Sequence, residues 1–325
     1  MAVPRVDLVI VHRDRPDAVR RTIAEFGAQS LAPRMVVVDN GSCPEAVRRL
    51  RQGLDPDVTV IEAGANTGFG PGANIGFRWF LAHDAAPWLA VCPHDAHPLP
   101  GCMARLVAVT AAQPHAGLAS ADVGDGLTPV LDRYFGAIPA AATVAEGWEP
   151  AGYPHGTLML ARRECLRGVG LFDERYFAYC EEAELALRAK AAGWQVGVVR
   201  GAEIRNTDVG SRAAVVDYLQ LRNTLLMVRE HSGPYHATIR LLIAVADLVA
   251  GAVSPARRGP YWAPGARLLA IAHHLRRRYG PPPPRLFGEP PAVPPGPPPG
   301  PSPGAAEGLH TPVSAASTWG RTRTR

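Results

Sequence analysis

Short apolar runs alternate with helical patterns through the first 230 residues, and this alternation limits the chain's architecture more than any other feature. Val6–Val11 is rich in β-branched residues and reads as a strand buried on both faces. Asp17–Gln29 follows with helical spacing at Val19, Ile23 and Phe26. Met35–Val38 reads as a second buried strand, Pro44–Gln52 as a helix and Val58–Glu62 as a third strand. Ala73–His83 reads as a helix and Trp88–Cys92 as a fourth strand. Such alternation predicts an α/β fold, a mostly parallel sheet flanked by helices with right-handed crossovers. Ligands of such sheets bind beyond the carboxyl ends of the strands, so polar residues directly after strands are the first candidates: His12–Arg15, Asp39–Ser42 and His94–His97.

Three regions are expected: a domain over 1–232, a basic helical region over 233–280, and a Pro/Gly-rich tail over 281–325. The tail holds 14 of the 33 prolines and reads as disordered with polyproline II character. In 233–280, His236–Val253 and Trp262–Tyr279 fit two amphipathic helices. Either a bundle against the first domain or an interfacial surface drawn to anionic lipid suits them, and the two are compatible. The net charge of +5 invites a nucleic-acid reading, but its distribution removes it. Residues 233–280 carry +6, the tail +2 and residues 1–232 carry −3. No uninterrupted 18-residue apolar run occurs, so no spanning helix is expected. The first ten residues lack the pattern of a secretory signal. Five scattered cysteines fit free thiols in a reducing cytosol.

Four segments carry chemistry. Val36-Val-Val-Asp39-Asn-Gly-Ser42 puts a carboxylate at a strand tip, where it can accept from a pyrimidine N–H or a ribose hydroxyl; a plain Asn-Gly turn is the competing reading. The segment Asn66–Phe77 is glycine-rich and follows a strand. Glycines permit positive φ and close backbone approach to a ligand, and Asn74 is expected in the first turn of a helix, where phosphate is favoured. Its spacing fits neither a Walker loop nor a dinucleotide fingerprint. His94-Asp95-Ala96-His97 offers a carboxylate, Asp95, suited to Mg2+ or Mn2+, with His97 as a second candidate ligand. Glu181 and Glu182 open a helix closed by Gly193. Glu184 has Arg188 at i+4, whereas the pair has no basic partner at i+3 or i+4. They are dipole-favoured residues or a general base.

Taken together, and over residues 5–230, these segments resemble family 2 of the inverting nucleotide-sugar glycosyltransferases, which have the GT-A fold, and most of all the rhamnosyltransferase-like branch. The markers are Asp14-Arg15-Pro16, Val-Val-Asp-Asn-Gly-Ser, Asn66–Phe77, Trp88–Gly101 and Gly170–Gly193, in that order. The resemblance implies a metal-dependent transfer from a dTDP-rhamnose or UDP-hexose donor to a glycan or lipid-linked acceptor in cell-envelope synthesis. The cysteines suggest a cytoplasmic protein, and the basic helices of 233–280, beyond the resemblance, offer peripheral membrane contact as one reading. The resemblance gives Asp39 to the base, and Asn66, Gly68 and Asn74 to the nucleotide-sugar pocket. Asp95 falls to the metal and Glu182 to the catalytic base beside Glu181. Arg222, with Asn223, would lie near the diphosphate. The chain departs from the pattern at four places. Asp14 stands for the usual Asn, and Pro93-His94-Asp95 for Asn-Pro-Asp. Asn206 or Asp208 stands where a His is common, and Glu182 for Asp. These departures leave a second reading, a glycosyltransferase-like protein that binds without catalysis.

Overall fold

The computed structural model describes residues 5–52, 54–55, 58–206 and 212–288. Of the tail expected to be disordered over 281–325, residues 281–288 are described and hold a short helix whose Leu286 and Phe287 pack on a buried cluster; the remainder and the candidate Asp208 lie outside the described residues. The first half follows the expected alternation: β1 (Val6–His12), α1 (Pro16–Gly27), β2 (Arg34–Asp39), α2 (Pro44–Arg51), β3 (Thr59–Glu62), α3 (Phe69–Ala82) and β4 (Trp88–Pro93). Then come β5 (Ala96–Pro98), α4 (Cys102–Ala111), β6 (Ala116–Asp122), β7 (Leu127–Asp132), β8 (Gly136–Ala141), β9 (Gly147–Pro150), β10 (Met159–Arg162), α5 (Arg163–Val169), α6 (Glu181–Ala191) and β11 (Gln195–Asn206). The helices α7 (Ala213–Ser232), α8 (Pro234–Val253), α9 (Pro264–Leu275) and α10 (Pro284–Phe287) close the described chain.

The main sheet runs β3-β2-β1-β4-β10-β6-β11-β5, with β9 on β11. Strands β1 to β4, β6 and β11 share one direction. Only β10, β5 and β9 run against it. β1 at the centre is buried throughout because both faces are covered. Leu8 and Ile10 pack with Phe26 of α1 and Leu106 of α4. Val9 and Val11 pack with Phe77 and Phe80 of α3 and Leu185 of α6. Asp7 interrupts the apolar run and is 2% exposed. It survives there because Arg34 grips it bidentately at 2.9 and 3.0 Å and the Ala86 N–H donates to it at 2.7 Å.

Helix α3 begins at Phe69, four residues before the expected Ala73, and this changes the meaning of the glycines. Gly70, Gly72 and Gly76 are helical. A Cβ at Gly76 would run into Val9 and one at Gly72 would press Val11, so these glycines bring α3 close onto β1. Only Gly68, at φ +97°, uses glycine's conformational freedom; a Cβ there would also overlap the Phe177 carbonyl.

The two helices expected in 233–280 are α8 and α9, and both pack on α7. Ala244, Ala266 and Ala270 join Tyr218, Leu221 and Leu225 in one buried cluster. Against the absence of a spanning helix expected from the sequence, α8 is long and apolar enough, by length and composition, to cross a membrane. It is 20 residues long, and most of its surface is left uncovered by the rest of the protein. The two charges in it, Arg240 and Asp247, break the apolar run but do not outweigh it.

Candidate functional site at the carboxyl edge of the sheet

β1 and β2 end in register, His12 opposite Asp39. Asp39 is 2% exposed, and its Oδ1 accepts the Ser42 N–H at 3.0 Å, the turn that ends the strand. Its other oxygen, Oδ2, is buried with no hydrogen-bond partner and lies 3.7 Å from Nε2 of His12, whose ring nitrogens are likewise unpartnered. Burial, reinforced by the neighbouring His94, pulls the His12 imidazole down to about 4 against the pull of Asp39, so His12 is neutral near pH 7. Asp39 also lines a cavity of about 610 Å3 with Gly41, Ser42, Arg48, Arg51 and Glu62. That volume suits a nucleoside, and the donor- and acceptor-bearing walls suit its base and ribose.

Asn40, Asn66 and Asp14 brace the loops beside the cavity and are not among its lining residues. Asn40 is 4% exposed. Its amide donates to the Gly68 carbonyl at 2.9 Å and its Oδ1 accepts from the Thr67 N–H and hydroxyl at 2.9 and 2.7 Å. Asn66 turns its Oδ1 onto the Gly68 N–H at 3.1 Å. Asp14 takes a left-handed φ of +54°, a conformation Asp and Asn tolerate, and joins the loops after β1 and β2 through Ser42 Oγ and the Cys43 N–H. Asn74 lies in the second turn of α3, not the first. It is 1% exposed and bonds both backbone groups of Phe172, at 2.9 and 3.0 Å. Its amide is thus engaged in clamping the 172–174 segment, not held out toward a phosphate at the helix end.

Asp95, 6% exposed, follows β4. Its Oδ1 accepts from the Asn206 amide at 3.4 Å, so the residue standing where a His is common does sit beside it. His94 meets the His12 ring edge-on at 5.7 Å, beside Asp39. His97 lies in β5, where its Nδ1 pairs with Glu25 of α1 at 2.7 Å. No group of three or more His, Cys, Asp or Glu side chains is placed to hold a metal ion by itself among the described residues. The Asp95 carboxylate is a hard oxygen donor, and the Asn206 amide, which presents its N–H to that carboxylate, would offer Oδ1 on turning over. Such a donor set fits a Mg2+ or Mn2+ that takes most of its shell from substrate oxygens and water.

The acidic pair reaches the same edge through the loop before α6. Gly70 N donates to the Phe177 carbonyl at 3.3 Å, and Glu181 packs against Gly70. Glu181 is 2% exposed with Oε2 unpartnered; burial, then the neighbouring Glu182, holds its carboxyl well above the usual range. Glu182 is only half-buried. Burial pushes it up to about 7, and its Oε1 fills the space that a side chain on Gly156 would need. Tyr153 lies on the same side, its hydroxyl pushed up by burial and by the Glu182 charge. Tyr153 and His155 also line a second cavity of about 150 Å3 with Pro129, Pro139 and Arg200. Sequence reading passed over Gly156 and Tyr153; the one local signal was the Tyr153-Pro-His-Gly156 turn before β10.

Arg222 is fully buried. Its guanidinium donates to Asn223 Oδ1, the Tyr218 hydroxyl and the carbonyls of Tyr176 and Gly280. Asn223 donates to the carbonyls of Tyr176, Ala178 and Tyr179 at 2.8, 2.8 and 2.7 Å. The pair therefore braces the loop that carries Glu181 and Glu182, a loop with left-handed φ at Phe177, Tyr179 and Cys180. A diphosphate role for Arg222 would require it to leave these acceptors.

A mostly parallel sheet covered by helices, with a cavity at the carboxyl ends of its central strands, is the GT-A fold of glycosyltransferases. Residues 7–169 match the family model for glycosyl transferase family 2, and the chain belongs to that family. It is 27% identical over 257 residues, covering 68% of this chain and 83% of the relative, to the N-acetylglucosaminyl-diphospho-decaprenol L-rhamnosyltransferase of Mycobacterium tuberculosis. The low-salt glycan biosynthesis hexosyltransferase Agl10 of Haloferax volcanii is 26% identical over 205 residues, 59% of this chain and 66% of the relative. Among solved structures, the mannosyltransferase PcManGT of Pyrobaculum calidifontis, in complex with GDP-Man and Mn2+, matches with a TM-score of 0.56 at 17% identity, covering 86% of this chain and 89% of its own. GalNAc-T7 with UDP, GalNAc and Mn2+ matches with a TM-score of 0.57 at 14% identity, covering 84% and 56%. These structures share the fold.

Proposed function

We propose that the protein transfers a sugar, with inversion, from a nucleotide-sugar of the dTDP-rhamnose or UDP-hexose type to a hydroxyl of a glycan or lipid-linked acceptor in cell-envelope polysaccharide synthesis. The observation that carries this reading is Glu182. It is a half-buried carboxylate held near pH 7, on the same sheet edge as the Asp39 cavity. Asp39, on the wall of that cavity, receives the nucleobase. Glu182, with Glu181 behind it, takes the proton of the acceptor hydroxyl as that oxygen attacks the anomeric carbon. The bond from that carbon to the nucleoside diphosphate breaks, and the diphosphate leaves with the electron pair. Asp95, with the Asn206 amide turned so that its oxygen faces the ion, would hold Mg2+ or Mn2+, which when bound neutralises the developing charge on the diphosphate. His97 enters this reading only if it exchanges Glu25 for the metal. The cavity beside Tyr153 and His155 adjoins the base and is the candidate acceptor subsite. The relatives named for a lipid-diphosphate acceptor and for glycan synthesis support the acceptor class. A soluble donor would place the reaction at the cytoplasmic side of the membrane.

A binding protein without catalysis is the other reading, motivated by Asn206. The elevated Glu182 favours the enzyme, because a retired base gains nothing from a destabilised carboxylate. A thermal-shift screen of nucleotide-sugars with Mn2+ tests the donor half of the proposal. A rise in Tm with one donor class, lost in Asp39→Ala, is expected. No shift with any nucleotide-sugar would contradict it.

A further inference from the structure

Helix α8 has two faces of different character. Ala237, Ala244 and Gly251 recur every seven residues and are buried, with Gly251 lying under the Trp262 ring. On another face, Tyr235, Leu242, Val245, Val249 and Val253 recur at helical spacing and are 68%, 63%, 43%, 58% and 81% exposed. Leu268 and Leu275 of α9 are also exposed, at 57% and 63%. These are seven of the nine large hydrophobic side chains exposed among the described residues, collected on two adjacent helices.

Cations flank them. Residues 233–288 hold eight arginines against a single acid, Asp247. Arg257 and Arg258 follow α8, Arg276, Arg277 and Arg278 follow α9, and all five are exposed. We propose that this face of α8 and α9 is a docking surface for an anionic lipid bilayer, with α8 lying in the plane of the interface. The one-sided apolar stripe argues against spanning, since the opposite side of α8 is committed to the protein. Charge complementarity selects the occupant. Two copies meeting through this face would set arginines against arginines, whereas a bilayer with anionic headgroups accepts the apolar stripe and its basic rim together. The surface stands on its own observations; its purpose, holding the enzyme where a lipid-linked acceptor is found, rests on the function proposed above.

Vesicle flotation of the full chain tests it without any assay of transfer. The protein should float with phosphatidylglycerol-containing vesicles, much less with pure phosphatidylcholine, and should be released by salt. Leu242→Asp with Val249→Asp should abolish flotation. Arg276→Gln, Arg277→Gln and Arg278→Gln together, a change that leaves the apolar packing untouched, should weaken it by about tenfold or more. Circular dichroism and the donor-induced thermal shift report that the variants are folded, and failure of that shift alone would indict the function, not the surface. Absence of flotation by the wild type, or equal recovery on neutral and anionic vesicles, would overturn the proposal. So would a dimer by light scattering that Leu242→Asp dissociates in a protein that does not float.

Discussion

Glu181 and Glu182 are neighbours in sequence with different surroundings, and that difference assigns their parts. Glu181 faces the interior against Gly70; Glu182 faces the Gly156 turn and is half-buried. Burial raises both, so the folded pair retains protons that the unfolded chain would release. Two consequences follow from the sign. As pH rises through about 7, Glu182 ionises and becomes able to accept a proton, so kcat/KM should climb with an apparent pKa near 7 that belongs to the pair. Over the same rise the buried charge costs stability, so Glu182→Gln should raise Tm above pH about 7 while leaving it unchanged below the ordinary glutamate range. Gly156→Ala tests the geometry from the other side. The backbone there is not left-handed, so alanine is conformationally allowed, but its Cβ would displace Glu182 Oε1. Turnover should fall by about tenfold or more with a smaller effect on donor affinity. Unchanged kcat in that variant would mean the carboxylate position is unimportant. The sequence marked both glutamates through their place in an acidic pair opening a helix. It did not mark Gly156, because a glycine that makes room for a side chain 26 residues away leaves no local pattern.

At the scale of elements, β1 to β4 and α1 to α3 were legible because each strand is a short apolar run and each helix has an apolar stripe. The second half was not. β6 is Ala-Gly-Leu-Ala-Ser-Ala-Asp, with no β-branched residue, and β7 and β8 each contain a proline. Their strand character comes from the neighbours they pair with, which a local window does not contain. Helix α3 was misplaced for a related reason. Its first turn, Phe-Gly-Pro-Gly, has poor helix propensity, and packing on β1 and α6 overrides it. The Arg222-Asn223 pair was visible as a motif but not as a brace. Removing the Asn223 amide leaves three loop carbonyls without that donor, so Asn223→Ala should cost about 2 to 3 kcal/mol of stability by chemical denaturation. Turnover should fall too, because the left-handed residues before α6 lose their restraint. A variant with wild-type stability and turnover would contradict the role.

Across the whole molecule, the sheet does two jobs with its two halves. The β3-β2-β1-β4 half ends in Asp39 and Asp95, and the β10-β6-β11 half anchors the base-side loops through a buried network. Arg200 joins Glu149 at 2.6 Å, Asp122 at 3.0 Å and the Thr128 hydroxyl at 2.7 Å. Burial works to raise Glu149, but the Thr143 N–H and Arg200 overcome it and draw the carboxyl down to about 2. A depressed carboxylate stabilises above its unfolded pKa and loses that contribution as pH falls toward 2. The wild type should therefore lose stability between pH 4.5 and about 2, and Glu149→Gln should flatten that limb while lowering Tm near neutrality, where it removes the partner of a buried arginine. An acid limb identical in both proteins would exclude Glu149 as its source.

The proposed reaction at this edge is sugar transfer from a nucleotide-sugar with Glu182 as the base. Nucleoside diphosphate release from dTDP-rhamnose and UDP-hexoses, with Mn2+ and a lipid-linked acceptor, measures it most directly in the wild type and Glu182→Gln. Acceptor-dependent release should fall by about a hundredfold or more in the variant while donor affinity is retained. Release at the wild-type rate by Glu182→Gln, or none from any donor by the wild type, would contradict it.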